Sequence, residues 1–198
     1  SVNPQNPQAR LLQHAAAVIR AGGLALLPTA AGYLPACRLD DKRATARLHR
    51  LAGATERDPA VLLCRDLAQA AVYLRIDDED FRAIRGSAPG AAAFTLACTR
   101  RVPRRLADAA RGRARLYFAG HAATEGLLQS FDEALLLAPA CDGPGPEAVE
   151  ELPPAWRHGI DLALDAGPLP APARDVFAPA GLDREPPVHR WDAPRSSP

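Results

Sequence analysis

The stretch from Gly22 to Tyr33, GGLALLPTAAGY, constrains the fold of this chain more than any other. An apolar run too short for a helix leads into a Pro-Thr pair, then small residues and an aromatic residue. The run predicts a buried strand that ends beside the hydroxyl of Thr29 and exposed backbone N–H groups. Such a strand end is a common place for an α/β protein to hold a phosphate or carboxylate. Because no charged residue lies between Leu24 and Cys37, the stretch predicts a place for a ligand without an obvious group to act on it.

Composition places the chain among ordinary globular proteins. Its 198 residues are 47% hydrophobic and 24% charged, and a net charge of +1 argues against a globally basic nucleic-acid binder. Aromatic residues make up only 5%, so we expect a core built mainly of Ala, Leu and Val. The first ten residues are polar and rich in Pro and Gln, and apolar runs of membrane length are missing from the sequence. We therefore expect a cytoplasmic protein that does not associate with membranes.

Two features that could suggest metal binding have simpler explanations. The cysteines Cys37, Cys64, Cys98 and Cys141 show no CxxC spacing, and each lies in or beside an apolar run. That pattern predicts reduced, partly buried thiols rather than a zinc site. The acidic run Asp77–Asp80 is typical of a solvated first helical turn, where the helix dipole favours carboxylates. We expect no metal site.

Helical and strand signals alternate along the chain. Apolar spacing and capping residues, including Asp40 or Asp41 and Asp66, predict helices at 8–21, 42–51, 67–74, from 77, 103–110, 121–131 and 147–151. Short apolar runs predict strands at 24–27, 60–64, 92–98, 115–119, 134–137 and 160–164, with a closing hairpin of 173–177 and 188–191. Because no linker divides this series, we expect one α/β domain with a mixed sheet over residues 1–192. A loosely packed Pro/Ser tail would follow at 193–198.

Five segments follow one another in a recognisable order: PTAAGYLPAC at 28–37, DK and HRL between 41 and 51, CRDL at 64–67, PG and FTL between 89 and 96, and VPRRL at 102–106. Their order and spacing resemble the YrdC/YciO family, which includes threonylcarbamoyl-AMP synthases, and the YciO branch most closely. The resemblance implies a single YrdC-like domain, a twisted open mixed sheet with flanking helices and a concave face over a nucleotide pocket. Active members join ATP, threonine and bicarbonate into threonylcarbamoyl-AMP, which serves to modify an adenosine in certain tRNAs. Some members are described as double-stranded RNA binders.

By this resemblance, the nucleotide- and substrate-binding residues would be Thr29, Tyr33, Arg50 and Arg57. The chain departs from the family where its anion-holding groups are expected. The family aspartate corresponds to Ala30, a lysine and an arginine to Ala52 and Ala54, a phosphate-facing arginine to Tyr117, and a hydroxyl-rich loop to residues 137–139. One missing phosphate donor costs ~2.7–4 kcal/mol in a transition state. We therefore expect a degenerate catalytic site, assign no catalytic residue, and expect ATP and Mg²⁺ as ligands only if the pocket is still active.

The segment from 100 to 115 is rich in arginine. It holds seven arginines and a single acid, Asp108. Such a local positive patch is typical of phosphate-backbone binding, to tRNA or double-stranded RNA. The alternative is a solvated helix face enriched by a general arginine bias, since Lys42 is the only lysine in the chain. The residues expected to bind RNA are Arg100, Arg101, Arg104, Arg105, Arg111 and Arg113.

Three functions remain open on the sequence. The first is a nucleotide- and RNA-binding member of the family whose synthase activity is lost or very weak. The second is a working threonylcarbamoyl-AMP synthase that uses displaced groups such as Arg50, Arg57 and Thr29. The third is a structural or interaction subunit that has recruited the fold to bind a partner protein. In each case we expect a monomer or a homodimer.

Overall fold

A mixed β-sheet organises the molecule. The computed structural model describes residues 7–54, 58–109, 111–138, 144–172 and 176–177. Within these residues the strands are β1 (Ala25–Thr29), β2 (Gly32–Arg38), β3 (Val61–Leu63), β4 (Phe94–Ala97), β5 (Arg113–Tyr117), β6 (Leu135–Leu137) and β7 (Leu162–Ala163). They form one seven-stranded sheet in the order β4-β5-β3-β6-β2-β1-β7. The β3–β5 and β1–β7 pairs are parallel and the other pairs are antiparallel, as the predicted mixed sheet requires.

Helices flank this sheet. The described α-helices are α1 (Pro7–Arg20), α2 (Lys42–Ala52), α3 (Leu67–Tyr73), α4 (Asp78–Gly86), α5 (Arg104–Ala109), α6 (Ala122–Leu128) and α7 (Pro154–Gly159), with a 3₁₀ turn at Val149–Glu151. The α/β class and the open mixed sheet predicted from the sequence are thus confirmed. None of the described helices is both long enough and apolar enough to cross a membrane.

The sheet separates two hydrophobic cores. Successive strand residues point to opposite faces, so in β3 Val61 and Leu63 pack into one core and Leu62 into the other. The first core also receives α1, α6 and α7, and the second core receives residues of α2 to α5. Because both faces are covered, the central strands are buried along their whole length.

Carboxylate caps begin three of the helices. Asp41 accepts a hydrogen bond from the Ala44 amide, which makes Asp41 rather than Asp40 the cap of α2. Asp66 caps α3 in the same way. The predicted acidic first turn of α4 is confirmed, because Asp77 and Asp80 form a reciprocal capping box there.

Other elements differ from the prediction. The sequence suggested a loop after Thr29, but Gly32–Arg38 is a strand paired with β1, with Ala36 opposite Ala25. Pro28 and Pro35 weaken the local strand signal, and pairing with two neighbouring strands overrides it. Helix α7 was not predicted. It is held in place by a residue distant in the sequence, because the Trp156 indole donates to the Leu51 carbonyl at 3.2 Å.

The end of the described chain also departs from expectation. Val176 and Phe177 lie in a turn rather than in the strand predicted for 173–177. The remainder of that hairpin and the proposed tail at 193–198 lie outside the described residues. Strand β5 begins at Arg113, two residues before the predicted start at Arg115, because Arg113 pairs with Ala97 of β4.

The described cysteines are free thiols. Cys37 and Cys64 are buried and Cys98 is half-buried, while Cys141 lies outside the described residues. Burial raises the pKa of both Cys37 and Cys64 to about 12, so these thiols stay protonated and unreactive at neutral pH. Among the described residues, no group of three or more His, Cys, Asp or Glu side chains is arranged to hold a metal ion.

Candidate functional site

The turn between β1 and β2 uses its own polar groups. Thr29 pairs with Gly32 across the hairpin, and only Ala30 and Ala31 lie between them. The Thr29 hydroxyl donates to the Gly32 carbonyl at 2.7 Å and accepts from the Ala31 amide at 3.1 Å. Thr29 is only 2% exposed. The predicted hydroxyl at the strand end is therefore buried, because this two-residue turn uses it to satisfy its own backbone.

The expected exposed N–H groups are also occupied. The Ala30 amide donates to the Ala119 carbonyl at 2.8 Å, and the Tyr33 amide donates to the Pro146 carbonyl at 2.9 Å. These acceptors come from segments far along the chain, so no local pattern revealed them. The turn is fastened to the fold by the groups that were predicted to face a ligand.

Glycine backbones approach this turn very closely. A Cβ atom on Gly90 would lie 2.4 Å from the Ala30 Cβ, and one on Gly120 would lie 2.4 Å from the Pro89 carbonyl oxygen. Gly90 and Gly120 also have φ angles of +81° and +63°, which favour glycine. The methyl group of Ala30, where the resemblance places an aspartate, is thus packed between two backbone segments.

Tyr117 stands beside the turn, where the resemblance places a phosphate-facing arginine. Its ring is fully buried, and its hydroxyl donates to the Gly90 carbonyl at 3.1 Å. Burial raises the pKa of Tyr117 to about 12, so the side chain is neutral. The Phe177 ring meets it edge-on, with centroids 4.8 Å apart. We call Thr29, Ala30, Ala31, Gly90 and Tyr117 the hairpin turn site, and its centre is filled by the protein's own rings and methyl groups.

Arg115 is a cation next to this site. It belongs to the arginine-rich segment but was not named among the residues expected from the sequence to bind RNA or nucleotide. The alternation of β5 places Arg115 on the same face as Tyr117, opposite Val61 of β3. Its Nη1 donates to the Phe177 carbonyl at 3.5 Å, and the residue is half-buried. Burial lowers the pKa of Arg115, and the charge of Asp58 opposes that shift. The signal that could have found it is the pattern R-A-R-L-Y, in which Arg115 and Tyr117 are two residues apart on one strand.

Of the other residues predicted to bind nucleotide, Tyr33 makes its hydrogen bonds to the segment 165–167. Tyr33 is fully buried, and its hydroxyl donates to the Gly167 carbonyl at 2.7 Å and accepts from the Ala166 amide at 2.9 Å. Burial raises the pKa of Tyr33. Arg50 is exposed near the end of α2, whose buried residues belong to the second core. Arg57 lies outside the described residues.

The predicted RNA-binding arginines are exposed and lie in the stretch of chain that runs from the end of β4 through α5 to the start of β5. This arginine cluster consists of Arg100, Arg101, Arg104, Arg105, Arg111 and Arg113, and all six are exposed. Helix α5 packs through Leu106 into the second core, so its arginines lie across the sheet from Tyr117. Arg105 also has a structural contact, because its Nη2 donates to the Leu39 carbonyl at 2.9 Å. Arg113 donates to the Thr95 carbonyl at 3.4 Å.

Chemically, these two regions differ in what they offer a ligand. In the hairpin turn site, the Thr29 and Tyr117 hydroxyls and the Ala30 and Ala31 amides have hydrogen-bond partners within the protein. The arginine cluster presents charge to solvent, which suits an extended anion.

Comparison with known proteins agrees with this fold. A family model for Sua5, YciO and YrdC proteins, described as "Telomere recombination", matches residues 17–177. The uncharacterized protein YciO of Escherichia coli (strain K12) is 30% identical over 164 residues, which are 83% of this chain and 79% of YciO. The crystal structure of E. coli YciO superimposes with a TM-score of 0.77 at 29% identity, covering 88% of this chain and 84% of that one.

More distant similarity reaches proteins with a named activity or ligand. The threonylcarbamoyl-AMP synthase of Halorhodospira halophila is 35% identical over 94 residues, 47% of this chain and 49% of the synthase. The structure of P. abyssi Sua5 complexed with L-threonine has the same fold, with a TM-score of 0.71 at 18% identity over 83% of this chain and 49% of Sua5. The match of the family model over most of the chain, with YciO alike in both sequence and structure, shows that this protein belongs to the Sua5/YciO/YrdC family.

Proposed function

We propose that this protein binds nucleotides and double-stranded RNA, tRNA included, in a role related to threonylcarbamoyladenosine modification, and that its own synthase site is degenerate. Membership of a family that contains threonylcarbamoyl-AMP synthases supports the first part. The observation that carries the second part is Tyr117. A buried, neutral phenol, hydrogen-bonded to Gly90, stands where the resemblance implies a cation for the triphosphate.

The energetic argument concerns the loss of charge. A phosphoryl group that leaves water needs cations or N–H donors in place of its hydration shell. At the hairpin turn site, the Ala30 and Ala31 amides donate within the protein. Removing one such donor from a transition state costs ~2.7–4 kcal/mol, and the effects of several losses compound. Efficient activation of ATP at this turn is therefore not expected.

The displaced-residue alternative finds less support. A synthase that relied on Thr29 would have to break the bonds that its hydroxyl makes within the turn. One that relied on Arg50 would draw on a helix whose buried face belongs to the second core. Thr29 lies beside Tyr117 but is committed to the turn, and no contact described above brings Arg50 to Tyr117.

The arginine cluster supports the RNA-binding part. Arg100 and Arg101 occupy the exposed turn after β4, and Arg111 occupies the exposed turn before β5. Guanidinium groups in solvent can reach successive phosphates at little desolvation cost, and each phosphate contact releases a counterion. Because Arg105 contacts Leu39, we assign it a mainly structural role within the cluster.

The RNA experiment measures affinity as a function of salt. Fluorescence anisotropy with labelled tRNA and a labelled RNA duplex would give log Kd against log salt for the whole protein. Arg101→Ala should weaken binding and reduce the slope by about 1, and Arg100→Ala with Arg101→Ala by about 2. Arg10→Ala, an exposed arginine on α1 across the sheet, is the control and should leave the slope unchanged. Binding that does not depend on salt would contradict the proposal.

The synthase experiment measures pyrophosphate released from ATP, threonine and bicarbonate. We expect no release above background, with the H. halophila synthase assayed in parallel as the positive control. Turnover comparable to that control would show that the site is active and would overturn the degenerate assignment. If the protein bound neither RNA nor nucleotide and instead co-purified with one defined protein, the interaction-subunit function would replace this proposal.

A further inference from the structure

Arg115 is a partly buried cation on strand β5. It lies on the covered face of the sheet, beside Val61 of β3, and is half-buried. A guanidinium group has five N–H donors, and the bond recorded for this one, to the Phe177 carbonyl, is long at 3.5 Å. A partly desolvated cation whose bond to Phe177 is this weak gains from exchanging that bond for one to an anion.

The position of Arg115 is informative in relation to Tyr117. Two residues along a strand correspond to about 7 Å and to the same face of the sheet. Arg115 therefore lies two residues along β5, on the same face, from Tyr117, the position where the resemblance implies a cation. The neighbouring apolar residues Val61 and Leu137 lie in the same cross-strand row, and they lower the local dielectric and strengthen any charge pair formed there.

We propose that Arg115 is the residue that binds a phosphate group of a nucleotide, and that the Phe177 carbonyl occupies the position of a phosphate oxygen until the ligand displaces it. This inference rests on the nucleotide-binding part of the proposed function and names the residue responsible. Binding at Arg115 needs no group of the hairpin turn, whose donors remain in their internal hydrogen bonds.

Phe177 makes the site self-occluded. Its carbonyl accepts from Arg115 while its ring packs edge-on against Tyr117, so a single residue covers both side chains. An edge-to-face aromatic pair of this kind adds modest stabilisation. A ligand phosphate must compete with that contact, and weakening the contact should therefore increase the apparent affinity. Asp58, whose charge acts on Arg115, opposes an incoming anion and sets a limit on that affinity.

The test is calorimetric titration of the whole protein at fixed ionic strength with inorganic phosphate, AMP and ATP. Arg115→Gln should weaken binding about tenfold or more, because it removes a charge-assisted hydrogen bond. Phe177→Ala should strengthen binding about threefold to tenfold, because the ring contact no longer holds the competing carbonyl in place. Arg75→Gln removes the same charge from an exposed residue beside β4 and should change nothing.

The outcomes separate this inference from the proposed function. If the wild type binds ATP and Arg115→Gln binds it equally well, the assignment of Arg115 is wrong and nucleotide binding stands. If neither the wild type nor Phe177→Ala binds any of the probes, nucleotide binding and the Arg115 assignment both fail. RNA binding is then tested separately by the salt titration. Binding of ATP but not inorganic phosphate would show that the rest of the nucleotide contributes contacts, and would support the nucleotide as the source. Thermal unfolding checks that Arg115→Gln is folded. If it is not, Phe177→Ala decides the matter: an affinity for ATP equal to or weaker than that of the wild type overturns the proposal.

Discussion

The hairpin turn site and the arginine cluster treat polar groups in opposite ways. In the turn site, Thr29 and Tyr117 are buried, and their hydroxyls are bonded to backbone groups of the protein. In the cluster, residues such as Arg101 and Arg111 are exposed. A polar group that satisfies the fold can serve a ligand only if its internal bond is first broken, at a cost of about 1–3 kcal/mol when a buried partner is left unpaired. A ligand at the turn site would therefore have to displace an internal hydrogen bond, whereas a ligand at Arg101 or Arg111 would meet side chains already exposed to solvent.

Arg115 lies between these extremes. It shares a strand with Arg113 of the cluster and with Tyr117 of the turn site, and it is only half-buried. Its weak bond to Phe177 can be exchanged at little cost, unlike the bonds of Thr29. Arg115 is therefore a half-buried cation between the two regions, and its weak bond to the Phe177 carbonyl can be exchanged for a bond to a ligand.

The largest predicted contrast concerns two glycines with positive φ. Gly90, at the turn site, and Gly112, beside the arginine cluster, have φ angles of +81° and +75°. A Cβ on Gly90 would collide with Ala30, whereas one on Gly112 would meet nothing within 4 Å. Gly90→Ala should lower the free energy of unfolding by about 3 kcal/mol or more, and Gly112→Ala by about 1 kcal/mol from backbone strain alone. Urea denaturation measures both, and equal losses would show that the turn site is not tightly packed.

A smaller contrast appears at alkaline pH. The pKa of Tyr117 is raised by burial from 10.0 to about 12 in the folded protein, so the unfolded chain loses that proton first. The resulting stabilisation is complete below about pH 10 and is lost as the pH rises through about 12, with a slope of up to ~1.4 kcal/mol per pH unit.

Tyr117→Phe lacks this titration. Its free energy of unfolding, measured in urea across the same pH range, should therefore fall less steeply than that of the wild type. The thiols Cys37 and Cys64 titrate in both proteins and cancel in the comparison. Parallel curves for the two proteins would mean that Tyr117 is open to water, and the turn site with it.

The smallest contrast lies within the arginine cluster. Arg105→Ala removes the bond to the Leu39 carbonyl and should cost about 1 kcal/mol of stability. Arg101→Ala, in the exposed turn, should change stability by less than ~0.5 kcal/mol. Thermal unfolding separates the two, and RNA affinity should show the reverse order, with Arg101→Ala the more damaging variant. A uniform effect across the cluster would remove the distinction between its structural and binding members.

Sequence reasoning succeeded where the determining contacts are local. The capping carboxylates accept hydrogen bonds from amides only two or three residues further along the chain, so both partners are visible in a short stretch of sequence. These caps are Asp41, Asp66 and Asp77. The α/β class followed from the alternation of helical and strand signals along the chain. Strand β2 was missed because Pro35 obscures it locally, and α7 because Trp156 is anchored to Leu51.

The candidate site was harder to predict for the same reason. Thr29 and Tyr33 were identified as polar or aromatic residues at a strand end, and their binding role stays a prediction. The inward direction of the Thr29 hydroxyl depends on a tight pairing with Gly32. The significance of Arg115 depends on Phe177, which is 62 residues away in the chain.

The sequence by itself determined the α/β class, most of the elements, the carboxylate caps and the family, because these depend on neighbouring residues and on the residue types themselves. Only the tertiary structure decided which polar groups remain available to a ligand. The partners of the hairpin turn come from Gly90, Ala119 and Pro146, three separate segments that meet only when the sheet has formed. A donor and its acceptor need only be close in space, and short stretches of sequence do not show which distant segments will be close in the folded protein.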